Sequence, residues 1–254
     1  MIGLSLPEIT VAIATMGAGA HALSLPAPVA GLRYLVMVQQ PTAPMPACPR
    51  DDVVFVPLDG LGLSNSRNAA LNACETPFAV FADDDMPLDT DGLRALACAL
   101  EEDPQLSFAA GWRAEKIPVT GTRAGRYTLH KLNAGRICAP ELMIRIEAVR
   151  TAGVTFDTDF GVGAAHPVGE DYIFVCDMLD AGLRGAGFAV VTGAHPGKST
   201  GDIWSDPVIL RARRTVLTRC FGTAAPLIRA AYALRHRKRL GGLLGAWQFW
   251  AGSI

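Results

Sequence analysis

The run Pro77-Phe78-Ala79-Val80-Phe81-Ala82, followed at once by Asp83-Asp84-Asp85, constrains this chain more than any other stretch. A short apolar run, closed by a turn residue on one side and by charge on the other, reads as a buried parallel strand. Carboxylates placed where such a strand stops lie at the carboxyl edge of an open sheet, where α/β proteins bind ligands. Hard oxygen donors there suit Mg²⁺ or Mn²⁺, metals that usually hold a substrate's phosphates as well. Taken alone, the triplet is equally an acidic turn, so the rest of the chain has to decide.

The surrounding segments alternate. Residues 9–15 are a β-branched strand, and 32–38 and 52–57 predict two more. A short helix over 65–73 is entered through Gly60-Leu61-Gly62-Leu63-Ser64, and 78–82 form the fourth strand. In 91–102 Leu93, Leu96, Ala97 and Leu100 recur at helical spacing, with Asp91 as the expected cap. Strands alternating with helices predict an α/β domain with a mostly parallel central sheet flanked by helices. The middle, 106–146, is less regular, and its Gly/Arg-rich part, 121–135, predicts a mobile loop or hairpin. Residues 156–169 are glycine-rich, 170–181 predict a helix and 188–191 a strand. From Val208 the composition is helical, with a break expected near Pro226. The expected organisation is one domain over 1–203 and a helical extension over 204–254.

Half of the 254 residues are hydrophobic, enough for a full core. The net charge of −1 hides an asymmetry: from residue 204 onward there are nine Arg or Lys and one acid, +8, leaving 14 basic and 23 acidic residues before it, −9. A basic tail on an acidic body implies an anionic partner surface, and the absence of any nucleic-acid motif favours membrane. The tail's basic residues are interleaved with apolar ones and followed by Trp247, Phe249 and Trp250, the composition of a segment lying on a membrane interface. Packing on the domain, or a contact in a homodimer, is the other use of such a tail. The six cysteines are scattered without a Cys-x-x-Cys pair, which argues against zinc and for reduced core thiols. Glu8 precedes the first apolar run and Arg33 is the first basic residue, so a secretory signal is not expected. The longest uncharged run near the end, 240–254, is 15 residues, short of the ~18 of a spanning helix. The expected location is the cytoplasm, with peripheral contact at the inner face of the cell membrane.

A second acidic element, Gly169-Glu170-Asp171, opens a predicted helix. The helix N-terminus favours ionised carboxylates there. Such a residue is a plausible helix cap; near a metal site it is also a plausible general base for an incoming hydroxyl.

In this order the residues resemble the family 2 glycosyltransferases, inverting enzymes with the GT-A fold. The resemblance rests on five segments: the first strand ending in Thr15, Gly62 through Arg67-Asn68, Phe81-Ala82-Asp83-Asp84-Asp85, Phe156 through Glu170-Asp171, and His195-Pro196-Gly197-Lys198-Ser199. It implies transfer of a sugar from a nucleotide-diphosphate donor to a saccharide or lipid-linked acceptor, as in cell-surface polysaccharide or glycolipid assembly, with Mn²⁺ or Mg²⁺. Asp85 is then the first metal ligand, Asp83 a ribose or metal contact, and Asp84 the variable middle position that tolerates replacement. Asp171 is the base, Glu170 orients it or meets the acceptor, and Arg67 binds phosphate or base. Thr15 lies near the nucleotide, and His195 is a further metal ligand.

The chain also departs from the family pattern. Relatives commonly place an acid at the end of the second strand to read uracil; here stand Gln39-Gln40-Pro41. A UDP-sugar remains the favoured donor, read through amides rather than a charge. No Gln-x-x-Arg-Trp motif follows the base, which implies transfer of a single sugar rather than processive synthesis. Two other functions fit parts of the pattern. A sugar nucleotidyltransferase would want a basic Gly-rich loop after the first strand, and Met16–Ala20 has no basic residue. A catalytically silent glycosyltransferase-like partner would not need Asp83, Asp85 and Asp171.

Overall fold

A computed structural model describes residues 6–42, 44–47, 50–117, 125–195, 197 and 199–253. In chain order its elements are β1 (Ile9–Met16), α1 (Gly19–Ala22), β2 (Leu32–Gln39), β3 (Val53–Leu58), α2 (Leu63–Ala73), β4 (Phe78–Asp83), α3 (Thr90–Glu102), β5 (Phe108–Arg113), β6 (Tyr127–Thr128), α4 (Lys131–Ala134), β7 (Leu142–Arg145), α5 (Ile146–Thr151), α6 (Glu170–Asp180), β8 (Gly185–Gly193), α7 (Pro207–Phe221), α8 (Ala225–Arg235) and α9 (Leu243–Ala251). Among the described residues one sheet holds every strand, in the order β3-β2-β1-β4-β7-β5-β8-β6.

The first four strands are parallel neighbours, with Ala14 opposite Asp83 and Met16 opposite Gln39. That register aligns the carboxyl ends of β2, β1 and β4 on one edge. β5 and β8 also run parallel, while β7 is antiparallel to both β4 and β5, and β6 is antiparallel to β8. The α/β architecture matches the sequence expectation; the antiparallel β7 in mid-sheet was not expected. Only four residues long, it carries no alternation to announce it.

Alternate residues of β1 enter opposite cores. Ile9, Val11 and Ile13 pack with Leu93, Leu96 and Leu100 of α3, while Ala12 packs with the aromatics on the other face. There Phe156 stacks on Phe174 at 3.9 Å and meets the edge of Phe81 at 5.0 Å. Each such fully buried side chain contributes about 1.5–3 kcal/mol. β4 is buried on both faces up to Asp83, as its unbroken apolar run requires.

One local expectation is corrected, and the break expected near Pro226 is found just before it. The cap of α3 is Asp89, whose carboxylate accepts from Gly92 N–H at 2.9 Å; Asp91 sits inside the first turn. The break in the C-terminal helices falls at Gly222, whose φ of 51° only glycine adopts freely. Pro226 instead lies in the first turn of α8, where its missing N–H costs nothing. Of the stretch 121–135, residues 121–124 lie outside the described residues, and the remainder forms β6 and α4. The described cysteines are free thiols: Cys74, Cys176 and Cys220 are buried as expected, Cys138 is partly buried and Cys98 is exposed.

Helix α7 packs on α6 through Ile173, Cys176, Val216 and Cys220. Its Arg219 reaches Asp157 at 3.1 Å and both oxygens of Asp177 at 2.9 Å. Part of the tail's positive charge is therefore a clamp on the sheet domain.

Candidate active site

The centre of the site is a buried guanidinium. Arg67, on the second turn of α2, has a side chain only 3% exposed. Its Nη1 donates to Asp171 Oδ1 at 2.5 Å and to Glu170 Oε1 at 3.1 Å, and Nη2 lies 3.5 Å from Asp83 Oδ1. One side chain thus joins the acid that ends β4 to the two acids that open α6.

Local bonds fix this meeting. Leu63 N–H donates to Val162 O at 3.0 Å, and Ser64 Oγ to Phe160 O at 2.6 Å. Asn68 exchanges two bonds with the Phe156 backbone, at 2.8 and 2.7 Å. The start of α2 is thereby sewn to the glycine-rich segment that leads into α6. Gly161 has φ +103°, and a Cβ there would stand 3.2 Å from both Ser64 Oγ and Glu170 Cγ. Gly169 caps α6 at φ +101°, and a Cβ there would stand 2.3 Å from Val216 Cγ2.

Burial opposes the charge on Arg67, but Asp171, Asp83 and Glu170 outweigh it and its pKa is raised further. Burial also pushes the Asp171 carboxyl up, to about 7, with Glu170 and Asp83 adding repulsion while Arg67 and the Ala139 N–H oppose the rise. Burial thus works against the helix N-terminus, which was expected to keep Asp171 ionised. Desolvation by a closed acidic cluster exceeds the benefit of the helix field, which is typically worth about 0.3–1 kcal/mol at exposed sites.

The other predicted residues line the same sheet edge. Thr15 Oγ1 donates to Asp84 Oδ2 at 2.5 Å. A Cβ on Gly19 would stand 2.7 Å from that hydroxyl. Asp84, expected to be the interchangeable middle position, therefore holds the end of β1. Gln39 ends β2, and its carbonyl accepts from Gly17 N–H at 2.8 Å. Asp85 is 65% exposed, with Oδ2 3.7 Å from His195 Nε2. Pro196 and Lys198 lie outside the described residues.

Among the described residues no three His, Cys, Asp or Glu side chains converge as a metal site. The expected set Asp83, Asp85 and His195 does not assemble, because Asp83 faces Arg67 while Asp85 faces His195. Two ligands of one divalent ion, each about 2.1 Å from it, stand roughly 3 Å apart in octahedral geometry. The Asp85–His195 pair, 3.7 Å apart, is wider than that spacing, and these two side chains would have to close on an ion whose remaining positions would go to water and substrate phosphate.

The structure adds residues the sequence did not single out. Glu141 is fully buried in the short turn of residues 139–141 before β7. It accepts from Arg136 Nη1 at 3.0 Å, Arg113 N–H at 3.2 Å and Cys138 N–H at 2.9 Å. The same turn presents Ala139 N–H to Asp171 Oδ2 at 3.1 Å. Arg136 lies over the Trp112 ring, 3.4 Å from its centroid. Burial raises the Glu141 pKa, against Arg113 and Arg136. The trace available in sequence is Pro140-Glu141 behind Cys138, a helix-start signal with Glu at the third position.

No protein-family profile matches the chain, and no curated protein matches it. Solved structures do. S. aureus TarS 1-349 in complex with UDP-GlcNAc aligns with TM-score 0.59 at 14% identity, over 91% of this chain and 73% of that one. The longer S. aureus TarS chain is covered over 43% of its length. The mannosyltransferase PcManGT from Pyrobaculum calidifontis, in complex with GDP-Man and Mn²⁺, aligns with TM-score 0.61 at 15% identity, over 97% and 75%. Glucosyl-3-phosphoglycerate synthase from Mycobacterium tuberculosis, with Mn²⁺, UDP and glucosyl-3-phosphoglycerate, aligns with TM-score 0.52 at 15% identity, over 84% and 80%. The likeness establishes the fold: this chain has the GT-A architecture.

Proposed function

We propose that this GT-A chain is an inverting glycosyltransferase, moving one sugar from a nucleotide-diphosphate sugar to a hydroxyl of a saccharide or lipid-linked acceptor. The observation that carries the reading is the Arg67 cluster, which brings the strand-end acid Asp83 together with Glu170 and Asp171 at the α6 start. The donor complexes of TarS and PcManGT on the same architecture support it.

Asp171 is the proposed base. Each of its oxygens accepts one bond, from Arg67 or from Ala139 N–H, and each retains a second lone pair for an acceptor hydroxyl. A carboxyl poised near 7 takes up a proton at neutral pH more readily than an ordinary aspartate. As the acceptor oxygen bonds to the anomeric carbon, its proton passes to Asp171. The bond from that carbon to the diphosphate oxygen breaks on the opposite face, the nucleoside diphosphate departs and the configuration inverts. Glu170 keeps Arg67 in place, and Arg67 orients Asp171. Thr15 and Asp84 form the floor for the nucleoside, Gln39 lies toward the base, and Asp83 toward the ribose. Asp85 and His195 would hold Mn²⁺ or Mg²⁺, which supplies neutralising charge for the diphosphate leaving group. A UDP-sugar is the favoured donor.

A thermal-shift series with UDP, GDP, CDP and dTDP, each with and without Mn²⁺, tests the reading. At about 100 times Kd the true nucleotide should raise Tm by roughly 5–10 °C, and Asp85→Ala should abolish the Mn²⁺-dependent part. No shift with any nucleotide, together with no hydrolysis of the matching sugar donors, would refute it in favour of a silent partner protein.

A further inference from the structure

Helices α8 and α9 leave a face that no other described element covers. On α8, Leu227 and Leu234 lie two turns apart on one side and are both exposed, Leu227 by 78%. On α9, Leu243, Leu244, Trp247 and Trp250 recur at one-turn spacing, and all are exposed, Leu243 by 73%. Their opposite sides are buried, through Ala233, Ala246 and Phe249. Trp250 Nε1 donates to Pro226 O at 3.1 Å, so the end of α9 meets the start of α8. The Tyr232 and Phe249 rings also stack across the pair at 5.5 Å. The helices are thus antiparallel, and each carries exposed apolar residues. Arg235 ends α8, and the turn after it carries Arg237, Lys238 and Arg239, all exposed, beside the Leu243 end; Arg239 lies over the Trp204 ring.

We propose that this face docks on the surface of an anionic lipid bilayer. Among the described residues no helix is long and apolar enough to cross a membrane. The 11 residues of α8 span about 16 Å, against about 30 Å of hydrocarbon, so the pair lies on the surface. Leucines beside exposed tryptophans match the boundary between acyl chains and headgroups, and a basic rim beside them matches lipid phosphates. A second copy of the chain fits worse. A twofold contact would use the same patch on both partners and set the two basic turns in one interface. Val216 of α7, the helix that precedes this pair, packs against Gly169 beneath the Glu170-Asp171 pair.

The inference stands apart from sugar transfer, because docking is read without donor and donor hydrolysis without lipid. The full chain is floated with vesicles of phosphatidylcholine alone, or with a minority of phosphatidylglycerol, and the Trp emission is followed in parallel. Binding with a blue shift is expected on the anionic vesicles only. Replacing Arg237 and Lys238 together by Ala should weaken partition about 25-fold, at about fivefold per charge. Replacing Leu243 and Leu244 together by Ser should weaken it at least about tenfold. Both pairs are exposed, so unchanged urea midpoints would show that the variants fold. Equal binding to neutral vesicles, no binding, or insensitivity to both pairs would overturn the proposal. So would a concentration-dependent dimer, seen by light scattering, that the serine pair abolishes, since it would assign the face to a second copy.

Discussion

Replacing Asp171 by Asn should move stability and activity in opposite directions. The Asp171 side chain is 14% exposed, so water screens little of its charge. Its pKa is raised from 3.8 to about 7, by burial first and then by Glu170 and Asp83, with Arg67 opposing. The unfolded chain releases this proton near the ordinary aspartate value, whereas the folded chain keeps it to about pH 7. Between these limits the folded state binds more protons, so the group's contribution to stability falls as pH rises and flattens above about 7. A gap of about three pH units amounts to about 4 kcal/mol of destabilisation, fully present above pH 7. Asn carries no charge and removes that penalty. It also turns an NH₂ toward either Arg67 or the Ala139 N–H, and a donor facing a donor costs about 1–3 kcal/mol. The variant should be about 2 kcal/mol more stable than the wild type near pH 8, and about equal to it near pH 5, where most of the ionisation penalty has gone. Sugar transfer should fall by about 10²–10⁴. Urea titrations at both pH values, paired with donor turnover, measure the two effects. A variant less stable than wild type by the same amount at both pH values would refute the reasoning, because Asp171 would then be an ordinary ionised partner of Arg67.

Three further predictions probe the supports of the site. Glu141→Gln leaves Arg113 and Arg136 without their shared carboxylate; urea titration should show a loss of about 3 kcal/mol, and kinetics about a tenfold fall in kcat at unchanged KM, as Ala139 N–H loses its aim at Asp171. Gly169→Ala places a Cβ 2.3 Å from Val216 Cγ2 at a φ of +101°; it should cost at least about 2 kcal/mol, and adding Val216→Ala should restore the steric part and leave the backbone part. Thr15→Val and Asp84→Ala remove the two ends of one hydrogen bond; each should weaken nucleotide binding by about 1 kcal/mol, and a calorimetric double-mutant cycle in which the two losses add in full would break the link between them.

What the sequence discloses and what it hides follow from where each constraint acts. β4 is legible because burial on both faces leaves an uninterrupted apolar run, and the acids at its end are legible because charge must stop that run. Gly169-Glu170-Asp171 is legible because the helix start is local chemistry. β7 is hidden because a four-residue strand is specified by its neighbours β4 and β5 rather than by its own pattern. Arg67's partners are hidden for a related reason: the bonds that aim it run from Ser64 and Asn68 to Phe160 and Phe156, about ninety residues away.

The acid triplet divides at the turn that follows β4. Reading Asp83 and Asp85 as one ligand pair extends the two-residue period of a strand past its end. The strand stops at Asp83, and the turn sends the three carboxylates to three partners: Arg67, Thr15 and His195. Two of those contacts cross to other strands or their ends, and the third reaches the acids of α6 through one guanidinium. A displacement of Asp83 by a bound nucleotide would alter the charge that Arg67 shares with Asp171, and with it the affinity of Asp171 for a proton. Under the proposed function, occupancy of the strand edge and basicity at the helix start would be coupled through a single buried side chain, and donor binding would set the proposed base.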